Sequence, residues 1–184
     1  MTIFAQRNFL CSLDTIPASE DSRSEVHERM DTVMTKLQGC RLGHGTKSIN
    51  AVAAYEDAPT DARVNEFCRT LVRNFGRNCE VTKQMWLLNE LRMPQLRAIA
   101  ANDAAVADIV IIAIHHSESL PAELKDWIET WLARKGKHPP VLLALLDPAH
   151  QGDSSSLRVY LEGVAKKERL ELITQSDEGV VRDA

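Results

Sequence analysis

Two apolar runs without alternation, IVIIAI at 109–114 and VLLALL at 141–146, constrain this chain more than any other feature. A strand with one wetted face alternates polar and apolar residues. An unbroken aliphatic run marks a strand covered on both faces, as in parallel sheets sandwiched between helices. A helical pattern follows each run: SLPAELKDWIETWLARKGK puts Leu124, Ile128, Trp131 and Leu132 on one side, and SSSLRVYLEGVAKKER repeats the motif.

The same alternation of strand and helix extends both ways. INAVAAY (49–55) reads as a strand, and DARVNEFCRTLVRNFG after it as a helix with Val64, Phe67, Leu71, Val72 and Phe75 inward. Asp61 is placed to cap that helix and Gly76 to end it. CEVTKQMWLL (79–88) and LELITQ (170–175) complete five strands, with Pro94 opening the helix between the second and third. Parallel neighbours need crossover connections. The expectation is therefore an α/β three-layer, flavodoxin-like fold, a five-stranded parallel sheet of order 2-1-3-4-5 with helices on both faces.

Residues 1–48 read as an amino-terminal extension, 49–176 as the α/β domain and 177–184 as a frayed tail. Within the extension, Val26, Met30, Val33, Met34 and Leu37 recur at helical spacing over residues 22–37. Such a stripe packs on the main domain or docks a partner or a second copy. Trp127 and Trp131 lie one helical turn apart, which suits core packing with Trp127 at its rim.

Composition narrows the classes of function. With 26 acidic against 22 basic residues, a net charge of −4, the chain lacks the basic balance of a nucleic-acid binder. No run reaches the roughly 18 apolar residues of a membrane span. Cys11, Cys40, Cys68 and Cys79 are scattered, with no C-x-x-C pair, and the start MTIFAQRNFLCSLD has no signal-peptide pattern. These features fit a cytoplasmic protein with reduced thiols. Cys68 falls among the apolar residues of its helix, as a small hydrophobe.

In open parallel sheets the ligand crevice lies beyond the carboxyl ends of the strands, where the winding reverses. That rule selects Tyr55, Glu56, Asp57 and Thr60 after strand one. After strand three it selects His115, His116, Ser117, Glu118 and Ser119, and after strand four Asp147. The turn EDAPTDAR has no glycine and carries two acids, which would repel a phosphate. Glu56, Asp57 and Asp147 suit a divalent cation, for which they supply hard oxygen ligands. His115 and His116 point to opposite faces of a strand, so they do not share one metal, but either suits acid–base work.

Residues 109–132, IVIIAIHHSESLPAELKDWIETWL, resemble the third strand, loop and helix of flavodoxin-like proteins, including the NAD(P)H-dependent FMN reductases. Leu120, Pro121, Leu124, Lys125 and Ile128 carry the match. The resemblance implies FMN beside the loop of His116, Ser117, Glu118 and Ser119, although EDAPTDAR replaces the phosphate turn of that family. The acid pair is also similar to that of response-regulator receiver domains, but strand three does not end in their aspartate. Further similarity is to uncharacterised bacterial proteins and implies no activity. With no complete catalytic set in view, the expectation is a non-catalytic, regulatory module that binds a protein partner or small ligand at the carboxyl edge of its sheet. The alternatives are an FMN-dependent oxidoreductase and a metal-assisted phosphohydrolase.

Overall fold

The computed structural model describes residues 47–75, 79–115, 120–136, 139–146 and 156–176, together with residue 35. Five strands, β1 (Lys47–Tyr55), β2 (Cys79–Leu87), β3 (Ile109–Ile114), β4 (Val141–Leu146) and β5 (Leu172–Ser176), form one sheet of order β2-β1-β3-β4-β5. Every neighbouring pair is parallel. The expected order and three-layer arrangement are both present. Four helices connect the strands: α1 (Ala58–Phe75), α2 (Pro94–Ala105), α3 (Ala122–Leu132) and α4 (Ser156–Glu168), with a 3-10 turn at Glu90–Arg92 before α2.

The strand residues show why both faces must be covered. All six residues of β3 and all six of β4 are buried, as non-alternating runs require. On one face Val52, Ala54, Val110, Ile112, Leu142 and Ala144 pack with α2, α3 and α4, through Ala100, Ala104, Leu124, Trp127, Trp131, Leu157 and Leu161. On the other, Ala51, Ala53, Ile109, Ile111 and Ala113 pack with Val64, Phe67, Cys68 and Leu71 of α1. The alanines of β1 leave room for α1 to lie close to the sheet, and Cys68 is a free, buried thiol at that contact. Its burial pushes the thiol pKa up, with the Lys83 charge opposing this, so it behaves as the expected small hydrophobe.

Three sequence expectations are corrected in detail. Trp127 is fully buried, not at the rim, and its ring lies 6.4 Å from that of Trp131 at a 59° tilt. Both rings are covered because α3 is flanked by α2 as well as seated on the sheet. Val72 is 41% exposed, since it lies past the edge of the stripe that Val64, Phe67 and Leu71 turn to the sheet. Asp61 does not cap α1; that role belongs to Asp57, described below. The expected helix at 22–37 and the tail at 177–184 lie outside the described residues, residue 35 excepted. Among the described residues no helix is long and apolar enough to cross a membrane.

Register brings the carboxyl ends of the strands together. Tyr55 is paired with Leu87 on one side and Ala113 on the other, and Ile114 with Leu146. β1 and β3 thus end side by side, while the chain leaves β1 for α1 and returns on the outer strand β2. This is the reversal of winding at which a crevice is expected.

Candidate functional site

The turn after β1 is built around one buried hydroxyl. Thr60 is the sole buried polar residue among the described residues, and its Oγ1 accepts from the backbone N–H of Glu56 at 3.0 Å and of Asp57 at 2.8 Å. The Thr60 N–H donates to Asp57 Oδ1 at 3.0 Å. Asp57 is thus the N-cap and Thr60 the third helical residue, in a reciprocal capping box with Pro59 between them, where its missing N–H costs nothing. The single Thr60 hydroxyl proton goes to the Asp57 carbonyl or Oδ1, each 2.9 Å away. Asp57 supplies the negative charge that the positive end of α1 favours.

Glu56 serves the sheet rather than the helix. Its N–H also reaches the Ala113 carbonyl at 3.1 Å, extending the β1–β3 ladder by one rung. Its Oε2 then accepts from the His115 N–H at 2.8 Å, so a side chain stands where the next backbone acceptor would be. The main chain at the end of β3 is thereby tied to β1.

Arg63 makes a third tie. From the second turn of α1 its Nη2 donates to the Leu146 carbonyl at 3.0 Å, linking the helix across β1 and β3 to the last residue of β4. The ends of β1, β3 and β4 are therefore held in fixed relation by Glu56 and Arg63. On the other side, the Leu88 N–H donates to the Tyr55 carbonyl at 2.8 Å, and Glu90 Oε2 accepts from the Leu87 N–H at 3.0 Å. Tyr55 is half-buried there. Burial first, then the charges of Asp61 and Glu90, push its phenol pKa up, so it stays neutral across physiological pH.

Of the residues expected at the site, Tyr55, Glu56, Asp57, Thr60 and His115 do meet at the carboxyl edge. His116, Ser117, Glu118, Ser119 and Asp147 lie outside the described residues. Among the described residues no group of three or more His, Cys, Asp and Glu side chains is arranged to hold a metal ion. The work of Arg63 and Glu90 is not visible in the sequence pattern. Their partners are main-chain groups 83 and 3 residues away, and no side-chain spacing announces a carbonyl or an amide as partner.

No protein-family description matches the chain, and no curated protein matches it either. Among solved structures, the crystal structure of Smu.1420 from Streptococcus mutans UA159 is similar, with 11% sequence identity over 73% of this chain and 92% of that one, at a TM-score of 0.46.

Proposed function

We propose that this chain is a binding module, without chemistry of its own, that receives a protein partner or a small ligand at the carboxyl edge of its sheet. One observation carries the reading. The two acids after β1 are engaged in fastening the edge, Asp57 as the helix cap and Glu56 as the bridge to His115. A carboxylate committed to backbone N–H donors is a poor general base, because those bonds fix its position and occupy the oxygen that would take the proton. The result is a rigid platform, and binding benefits from surfaces that need no ordering when the ligand arrives.

The flavodoxin-like reading, with FMN as cofactor, draws on the resemblance of residues 109–132 and on the strand order. It meets a specific difficulty at the turn. A flavin phosphate at the start of α1 would share that helix end with the Asp57 carboxylate. The metal-dependent reading would need Glu56 and Asp57 to turn towards a cation and away from His115 and Thr60.

The absorbance spectrum and melting temperature of the purified chain, alone and with excess FMN, Mg²⁺ or Mn²⁺, separate the three readings. The binding module is expected to be colourless and to melt at the same temperature in all four conditions. Flavin absorbance, or a rise of several degrees with FMN, overturns it in favour of the oxidoreductase. A rise with Mn²⁺ that Glu56→Gln abolishes overturns it in favour of the metal enzyme.

A further inference from the structure

β2 closes one side of the sheet, and the polar groups of its outer edge follow a fixed alternation. In an extended strand the N–H and C=O of one residue point to the same side of the chain, and those of the next residue to the other. The Leu88 N–H donates to the Tyr55 carbonyl of β1, so the even-numbered residues of β2 face β1 and the odd-numbered ones face outward. The Leu87 N–H, one of the outward set, is taken by Glu90 Oε2 at 3.0 Å. For the outward groups of Val81, Lys83 and Met85 no such substitute is present among the described residues. They form a row at steps of about 6.6 Å, the template for one more strand.

Natural edges are commonly kept short, or guarded by proline or by a lysine on the edge. β2 is nine residues long and has no proline, and its Lys83 ammonium is turned onto α1, where Asn65 Oδ1 accepts from it. Thr82 and Gln84 are exposed on one face and Lys83 on the other, so neither helix layer closes over residues 82–84.

We propose that this edge pairs antiparallel with the β2 edge of a second copy, with Thr82 on the twofold axis. An axis normal to the sheet sets odd residues against odd and even against even. With the axis at Lys83, two lysines stand directly opposite each other, which is destabilising. With it at Gln84, Leu87 has to leave Glu90 in order to pair with Val81. With it at Val81, Met85 has no counterpart within the strand. The axis at Thr82 avoids all three. Val81 then pairs with Lys83 of the second copy and Cys79 with Met85, each pair exchanging two backbone bonds, while Thr82 faces Thr82 and Glu80 faces Gln84, with no like charges opposed. This match of the strand to itself selects a second copy over a strand of unrelated sequence. The two sheets become one, and the carboxyl edges lie at its opposite ends, clear of a pairing that stops at Met85.

The test uses the full chain. Sedimentation between about 1 and 200 μM is expected to show a monomer passing to a dimer, since one strand pair buries less than a standard interface of about 1,600 Å². A chain that stays monomeric throughout overturns the proposal. Hydrogen exchange at single amides reads the edge: Val81, Lys83 and Met85 are expected to slow roughly tenfold or more on dimerisation, and Thr82 and Gln84, which face β1, to change far less. Protection of all three at every dilution assigns the edge to a segment of the same chain and overturns the second-copy reading. Thr82→Asp and Thr82→Lys each set like charges across the axis, so each alone is expected to stay monomeric and their equimolar mixture to recover the dimer. A dimer that survives in either variant, or a mixture that stays monomeric, overturns the placement. Should a variant fail to fold, the exchange pattern of the unaltered chain decides.

Discussion

At the scale of single residues, Thr60 matters out of proportion to its size. Its hydroxyl takes two backbone N–H groups and gives its proton back to Asp57, so removing it strands the Asp57 N–H in the turn and leaves the Glu56 N–H only its bond to Ala113. Thr60→Val keeps the shape and is expected to cost about 2 kcal/mol of stability, read by urea unfolding, whereas Thr60→Ser is expected to retain most of it. Asp61→Asn is expected to stay within about 0.5 kcal/mol, because Asp61 has a first-turn charge but no capping role. An equal cost for Asp61→Asn and Thr60→Val would refute this assignment. The correct cap was legible in principle, since Asp57 and Thr60 have capping-box spacing. Asp61 looks like the cap only where the turn is taken to run to residue 61, whereas the helix starts at Ala58.

At the scale of elements, the long apolar runs were the most readable part of the chain. β3 and β4 need covering on both faces, and that requirement forces the parallel sheet, the crossovers and the position of the site at one edge. Helix α2 was less legible. Its buried face is made of Ala100, Ala101, Ala104 and Ala105, small residues that give little amphipathic contrast, while Ile99 points outward at 50% exposure. The element is held instead by neighbours: Arg134 after α3 donates to the Ala98 carbonyl at 3.3 Å and to Asn102 Oδ1 at 2.6 Å, and Arg97 pairs with Asp126. The tryptophans of α3 fill the space that these alanines leave. Trp131→Ala is accordingly expected to cost about 3–5 kcal/mol, and Ile99→Ala no more than about 0.5 kcal/mol, in the same unfolding experiment. Comparable losses would mean that the outer face of α2 is covered in solution.

At the scale of the whole molecule, three carboxyl groups with shifts of opposite sign contribute to the pH dependence of stability. At Glu123 burial works to raise the pKa, but its own backbone N–H and the Arg92 guanidinium 2.9 Å away outweigh it and leave the pKa lowered. Glu168 is lowered chiefly by its hydrogen bond from the Lys135 ammonium, against a smaller effect of burial. A carboxyl whose folded pKa is depressed contributes stability that is present above its ordinary value of 4.5 and is lost as pH falls through the folded value. Asp103 runs the other way. Burial raises its pKa from 3.8, and the nearby Trp86 indole, whose N–H makes no hydrogen bond of normal geometry, eases this only in part. Its contribution is greatest below 3.8 and disappears as pH rises through the raised folded value. Melting temperatures followed from pH 7 to pH 3 are therefore expected to fall most steeply below about pH 4.5. Glu123→Gln and Glu168→Gln should each lower the value at pH 7 and converge with the parent at pH 3. Asp103→Asn should raise the value at pH 7 and converge at the same acid end. Convergence at pH 7 with divergence at pH 3 would reverse these signs. It would show that other carboxyl groups, not these three, govern the acid limb.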